Sequence, residues 1–342
     1  MYWNPDAQAW SAPKPAPDGD PRAVHRTMPD FAPTPLLQAP ELAGELGVGR
    51  VFVKDEHLRA GLPSFKILGA AWAVFKALGG TDPRAGLPSL RLDPELTLVS
   101  ATAGNHGRAV AYLARILGVR AHIFIPRATA ANRIDAIRGE NAVVDVVPGD
   151  YGLAVTMAAA RAEQDKALLV GDVGESRTPI WAAEGYRTIM WEIDEQLGSV
   201  RPDLVVVPVG AGTFASSVVT HYRGEGSRPR ILSVEPETAS ALLRSLKAGR
   251  PVPAPGPHPS VMAGLNAVEV DAHAWPILHR GVDAAVAITD DETCWGMRAF
   301  ERANIVAGEC GAASAAGARA FLAQHPLHED AVVVLLSTEG KH

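Results

Sequence analysis

Lys66 lies in PSFKILGAAWAVFKAL (63–78), at the start of an apolar helical run and two residues after Ser64, a candidate N-cap. The positive end of a helix dipole disfavours an ammonium there and favours its loss or conversion, which suits a lysine that forms an imine. A lone lysine on an amphipathic helix is ordinarily a surface residue with a snorkelling stem. Here its neighbours Phe65, Ile67 and Leu68 are apolar, so a charge among them is costly unless something uses it.

Two further segments place unusual residues where a strand gives way to a helix. In SATAGNHGRAVAYLARILG (100–118), Ser100 closes a strand, and Gly104 and Gly107 permit a tight turn before a helix. Such a turn offers backbone N–H groups to an anion. Asn105 brings an amide for a ligand oxygen or simply caps the turn, and His106 reads as a packing or hydrogen-bonding residue. In LVVVPVGAGTFASSVVTHY (204–222), Gly210 and Gly212 let the backbone approach a phosphate at a helix start.

That third segment has a rival meaning. G-A-G-T-F-A matches G-x-G-x-x-A after a strand, and Glu235 on the next strand stands where a ribose-binding acid is found. A nicotinamide-dependent oxidoreductase is therefore one expectation. The dinucleotide fingerprint normally opens the first βαβ unit, whereas this one lies past the middle of the chain, downstream of two other ligand-like turns. One phosphate cradle together with one imine-ready lysine describes pyridoxal phosphate (PLP) more economically. A protein that binds an amino acid without turning it over is a third reading.

Elements that position these residues recur as short apolar runs, glycine-containing turns and longer helical runs. Strands are predicted at VFVKDE, LTLVS (96–100), AHIFIP (121–126), AVVDVV (142–147), ALLVGD (167–172), LVVVPV (204–209), ILSVEP (231–236), AAVAIT (284–289) and AVVVLLS (331–337). Their β-branched character, suited to burial on both sides, predicts parallel sheets flanked by helices on both faces, hence an α/β fold in two domains. The expected division is an irregular arm over 1–30, a larger domain of 31–65 plus 176–342, and a smaller α/β domain of 66–175, crossed near 173–180 with a cleft between. A helix is expected to follow Pro35 in TPLLQAPELAGELG, while 79–94 and the Pro-rich 247–260 read as loops.

The 342 residues carry a formal charge of −6 without a Lys/Arg cluster, which argues against nucleic acid or a membrane surface as partner. A small polar substrate fits better. Cys294 and Cys310 are the only cysteines, too few for a disulfide framework or a cysteine zinc site, so no metal is expected and a reducing compartment is. No signal-like or membrane-length apolar run occurs, and a cytoplasmic protein is expected.

Taken in order, SFKILGA, TAGNHG, VGAGTF, MAGLN (262–266), GECGAA (308–313) and LSTEG (336–340) resemble the fold-type II PLP enzymes, the tryptophan synthase β-like group. GLPSFKILGA, MAGLN and LSTEG resemble the diaminopropionate ammonia-lyases more than the threonine dehydratases. The resemblance implies that Lys66 forms the Schiff base and that Asn105 bonds the phenolic oxygen. It also implies that the backbone of Gly210, Ala211, Gly212, Thr213 and Phe214 binds the phosphate and that Ser337 faces the pyridine nitrogen. A neutral hydroxyl there leaves the ring unprotonated and favours elimination. The implied reaction is α,β-elimination on a small amino acid, 2,3-diaminopropionate going to pyruvate and ammonia, with a serine or threonine dehydratase as the alternative and a homodimer as the assembly.

The lyase motif reads T-D-G-N-H-G, its Asp serving as a base toward the D-isomer, and this sequence has Ala103 at that position. A lyase restricted to L-substrates, or a relative with a changed substrate, is the expected consequence. The family's second acid is matched by Asp172 in LLVGDVGES, which reads equally as a loop cap, and Glu309 resembles a residue near the cofactor ring or a solvated loop acid.

Overall fold

A computed structural model of the chain describes residues 1–11, 19–102, 104–174, 176–224 and 227–341. In chain order the elements are β1 (Tyr2–Trp3), α1 (Pro21–His25), β2 (Leu36–Gln38), α2 (Pro40–Leu46), β3 (Arg50–Asp55), α3 (Lys66–Ala77), β4 (Thr97–Ala101) and α4 (Asn105–Leu117). There follow β5 (Arg120–Pro126), α5 (Ala131–Arg138), β6 (Val143–Val147), α6 (Tyr151–Ala162), β7 (Ala167–Leu169), α7 (Thr178–Leu197), β8 (Leu204–Pro208) and α8 (Thr213–Gly224). The last are β9 (Arg230–Pro236), α9 (Ala241–Ala248), α10 (Trp275–Gly281), β10 (Ala284–Ile288), α11 (Asp290–Arg302), α12 (Glu309–Leu322) and β11 (Val332–Ser337).

The chain forms two compact units. One contains Pro33–Leu58 and Arg187–Lys341 with the chain's first strand; the other contains Arg59–Tyr186 with α1. The passage between them occurs inside α7, after Tyr186, rather than in the loop before that helix, and the earlier passage falls at Leu58 rather than beside Lys66.

The larger unit is built on a seven-stranded sheet ordered β1-β10-β9-β8-β11-β3-β2. Its five inner strands are parallel, and β1 and β2 are short antiparallel edges. Every residue of β8 and β11 is buried, as continuous Val/Leu runs covered on both faces require. One face packs Val206, Val234 and Leu335 with Ala312, Ala316 and Phe321 of α12 and Phe300 of α11. Helix α12 lies close because Gly317 faces Val234, where a Cβ would stand 2.2 Å from Cγ2.

The segment after Pro35 differs from its sequence expectation. Leu36–Gln38 forms β2 on the edge of the sheet, and the helix begins only at Pro40, a position where a missing N–H costs nothing. The expected N-terminal arm also contains β1, paired with β10 and anchored where Asn4 Nδ2 donates to the carbonyls of His279 (2.6 Å) and Val282 (2.8 Å).

The smaller unit has an all-parallel four-stranded sheet, β6-β5-β4-β7. Helix α3 is buried continuously from Ile67 to Phe75, and Trp72 donates its indole N–H to Glu184 Oε2 at 2.8 Å. Helices α3 and α7 meet at a glycine pair. A Cβ on Gly185 would stand 2.6 Å from the Leu68 carbonyl oxygen, and one on Gly69 2.5 Å from the Tyr186 ring. That close crossing sets Tyr186 beside the first turn of α3.

Candidate active site

In the smaller unit, Lys66 is the first residue of α3 and its Nζ donates to Asp172 Oδ2 at 2.8 Å. Ser64 is not the helix cap: Phe65 holds that position, and Ser64 Oγ is a marginal 3.5 Å from the Lys66 N–H nitrogen. The ammonium stands 5.5 Å from the Phe65 ring centroid and 5.8 Å from that of Tyr186, two aromatic faces that tolerate a cation. Sequence reading missed Tyr186. An aromatic residue on a long helix looks like ordinary core, and only the glycine before it hinted at a close helix crossing.

Asp172 follows β7 on a segment held by its backbone. Val170 donates its N–H to Val99, and its carbonyl accepts from Ser100 Oγ at 2.8 Å and meets His106 Nε2 at 2.9 Å. His106 Nδ1 is buried, has no hydrogen-bond partner, and lies 3.9 Å from Asp172 Oδ2. Burial holds the His106 ring below the ordinary histidine range, helped by Lys66 and opposed by Asp172. Burial works to raise Asp172, but the charges of His106 and Lys66 and the Lys66 hydrogen bond outweigh it and hold the carboxyl well below the usual range. With the imidazole neutral, Lys66 supplies that pull. Tyr186 is pushed up to about 12 by burial, against the opposing ammonium, and stays a phenol.

Asn105 opens α4 immediately beyond β4, the strand hydrogen-bonded to β7. Asn105 and Asp172 thus emerge at the carboxyl ends of adjacent parallel strands, where open α/β sheets bind ligands. Gly107 serves packing rather than the turn: a Cβ would stand 2.1 Å from Thr102 Cγ2 and 2.9 Å from Ile123 Cγ2. Ala103 lies outside the described residues.

In the larger unit, β8 runs into Gly210, Ala211 and Gly212, and α8 begins at Thr213 followed by Phe214. Gly212 has φ +100°, a left-handed conformation that favours glycine. A Cβ on Gly210 would stand 2.9 Å from the Gly264 carbonyl oxygen, so MAGLN packs directly behind the turn.

Ser337 ends β11, the strand next to β8, so it and the glycine turn share one end of the sheet. Its Oγ is fully buried and has no hydrogen-bond partner. A Cβ on Gly311 would approach that oxygen to 2.8 Å, and one on Gly308 would stand 2.5 Å from the Gly340 carbonyl oxygen. GECGAA therefore lies against STEG through two glycines. Glu309 is half-buried at the start of α12, while Glu339, inside LSTEG but not singled out from sequence, is a buried carboxylate two residues beyond Ser337.

Glu235 does not serve a ribose. It is fully buried, and its two oxygens accept the N–H groups of Leu242 (2.7 Å) and Leu243 (2.8 Å), capping α9 from inside the fold. Burial pushes its carboxyl up to about 8, against those two bonds. The dinucleotide reading loses its acid. Among the described residues, no helix is long and apolar enough to cross a membrane, and no group of three His, Cys, Asp or Glu is arranged to hold a metal.

Residues 27–339 match the family model of pyridoxal-phosphate-dependent enzymes. Diaminopropionate ammonia-lyase from Escherichia coli K12 is 32% identical over 348 residues, covering 93% of this chain and 87% of that protein. The crystal structure of the Escherichia coli lyase in complex with an aminoacrylate-PLP azomethine reaction intermediate superposes with a TM-score of 0.90 at 29% identity, covering 99% of this chain and 93% of the other. The biosynthetic L-threonine dehydratase of Mycobacterium bovis is 34% identical over 236 residues, 68% of this chain and 50% of the relative. With a matched family model spanning both units and a lyase relative aligned over nearly the whole sequence, this chain belongs to the pyridoxal-phosphate-dependent enzymes.

Proposed function

We propose that this chain is a PLP-dependent ammonia-lyase that removes ammonia from a small amino acid, 2,3-diaminopropionate being the substrate named for its lyase relatives. The observation that carries the reading is the lysine of SFKILGA, whose amine is hydrogen-bonded at 2.8 Å to a carboxylate among groups that can exchange its proton.

Three features of the chain fit the cofactor. Lys66 supplies a part-exposed amine for covalent attachment. Gly210 and Gly212 let the turn pack closely on Gly264 and Leu278 behind it, at the start of a helix suited to phosphate. Ser337 Oγ is a buried hydroxyl without a partner, as expected of a group reserved for a ligand atom.

When bound, the cofactor supplies an aldehyde that captures amines and a conjugated ring that draws electrons from the α-carbon. Lys66 would hold it covalently, and its Nζ, when free, would take the α-proton of the amino acid. Asp172 orients that amine through the Lys66 hydrogen bond, and the ammonium that Lys66 becomes on taking the α-proton would hand it to the departing nitrogen, which leaves more readily when protonated. Asn105 would bond the phenolic oxygen, the backbone of Gly210–Phe214 would hold the phosphate, and Ser337 would give the ring nitrogen a neutral partner. Ala103 offers no acid for a D-substrate, so the reading includes restriction to the L-isomer. A homodimer in a reducing, cytoplasmic setting belongs to the same proposal.

The test is a substrate panel on purified, PLP-loaded protein. Ammonia and pyruvate are expected from L-diaminopropionate, with the D-isomer at least tenfold slower. Faster production of 2-oxobutyrate from L-threonine would instead assign a dehydratase, the reading that the partial dehydratase match favours. A colourless protein with neither activity would remove the enzyme assignment.

A further inference from the structure

We infer that Asp271 is a positioning residue for the glycine turn that follows β8: it fixes the Ala211–Gly212 peptide so that the Gly212 N–H is directed at the cofactor phosphate. The inference rests on the function proposed above and adds a residue from outside the turn to its phosphate cradle.

One hydrogen bond sets the orientation of that peptide. Asp271 donates its backbone N–H to the Ala211 carbonyl oxygen at 2.8 Å. In a planar trans peptide the C=O and the following N–H point in opposite directions, so the Gly212 N–H is turned away from Asp271 and from the segment packed behind the turn. Among the described residues no backbone carbonyl accepts that N–H, whereas the Gly212 carbonyl takes the Ser216 N–H at 2.8 Å as α8 begins. Gly212 is buried, and a buried N–H without a partner is a cost unless a ligand meets it. At the start of a helix, that ligand is an anion.

The side chain of the same residue holds the support behind the turn. Asp271 is buried, and its Oδ1 accepts the N–H groups of His273 (2.9 Å) and Ala274 (3.2 Å). Its carbonyl accepts that of Trp275 at 2.9 Å, which completes the bend leading into α10. The bend sets Ala274 and Leu278 against the glycine: a Cβ on Gly212 would stand 3.4 Å from Ala274 Cβ and 2.6 Å from Leu278 Cδ1. Without the carboxylate the bend loses its bonds to His273 and Ala274, and the Asp271 N–H is no longer held toward Ala211. Glycine then lets the 211–212 peptide flip, which would present the Ala211 carbonyl oxygen to the phosphate in place of the N–H.

Cofactor-free wild type, Asp271→Ala and Asp271→Asn are titrated with PLP and with pyridoxal, which carries the same aldehyde and no phosphate, and visible absorbance is followed. Loss of the cap in Asp271→Ala should weaken PLP binding roughly tenfold and leave pyridoxal binding within about twofold. Asp271→Asn, whose amide oxygen can accept the same two N–H groups, should restore PLP binding to within about threefold of wild type. Equal losses for the two ligands in Asp271→Ala, or no loss, overturn the inference, as does an asparagine variant as weak as the alanine one. Amide exchange in the wild type decides the matter even if Asp271→Ala fails to fold. The Asp271 N–H should be protected in the cofactor-free protein, and the Gly212 N–H should become protected when inorganic phosphate is added. An Asp271 N–H that exchanges like an open loop, or a Gly212 N–H indifferent to phosphate, overturns the inference. A wild type that stays colourless with PLP would defeat the proposed function, leaving exchange at Asp271 and Gly212 to judge the turn.

Discussion

Replacing Ser337 with alanine separates a hydroxyl kept for a ligand from one kept for the fold. Its Oγ is fully buried and makes no hydrogen bond within the chain. A buried hydroxyl in that state costs about 1–3 kcal/mol relative to one solvated in the unfolded chain. Deleting a single oxygen beside Gly311 leaves a void smaller than a methyl group, an offsetting loss of a few tenths of a kcal/mol. Ser337→Ala should therefore stabilise the cofactor-free protein by about 1 kcal/mol. At roughly 2 cal/mol/K of unfolding entropy per residue, that is a rise of about 1–2 °C in Tm. Loss of one hydrogen bond to the ring nitrogen should weaken PLP binding between roughly two- and tenfold. Thermal melts of the cofactor-free protein and a PLP titration followed by absorbance give both numbers. A cofactor-free variant that melts lower than wild type while binding PLP equally well would refute the reasoning, because the hydroxyl would then be serving the fold.

Gly69→Ala gains about 1 kcal/mol of helix propensity but forces a Cβ to 2.5 Å from the buried Tyr186 ring, an overpacking cost of about 1–3 kcal/mol; the melt should fall, and Tyr186→Leu in the same chain should recover part of it. His25 is fully buried with Nε2 at 2.8 Å from the Leu68 carbonyl oxygen, and burial lowers it from 6.5 to about 3. The folded state thus binds fewer protons than the unfolded state between those values. Stability is full above pH 6.5 and is lost as pH falls toward 3, with a slope of up to about 1.4 kcal/mol per unit that urea titrations of His25→Gln should lack. Glu235 has the opposite sign: raised from 4.5 to about 8, it favours the fold below pH 4.5 and loses that contribution as pH rises through 8, so Glu235→Gln should flatten the curve over that window.

Most inner strands were legible because their sequences are short runs dominated by apolar and β-branched residues. ILSVEP and AVVVLLS fall on β9 and β11 within a residue, since burial on both faces leaves no other use for such segments. The edges were not legible. Tyr2–Trp3 and Leu36–Gln38 are too short to show alternation, and the prolines around the second resemble helix punctuation. The crossing between units was misplaced because Gly171 and Gly174 advertise a loop, whereas the 20-residue helix α7 carries the chain through without a break at Tyr186.

The chemistry was legible as separate residues. Lys66 and Asp172 were both singled out, but they are 106 positions apart and nothing in either segment names the other as its hydrogen-bond partner. Glu235 misled because spacing places an acid on a strand without showing that the next helix consumes both its oxygens. His106 looked like a packing residue, and its Nε2 bond to Val170 is that role; only coordinates reveal what its other nitrogen faces.

Borohydride reduction of the PLP-loaded protein, followed by peptide mass spectrometry, tests the covalent attachment directly. The reduced cofactor should be found on the peptide containing Lys66, with Lys66→Ala colourless and unlabelled. Label on a different lysine, or colour and turnover that survive the loss of Lys66, would contradict the account.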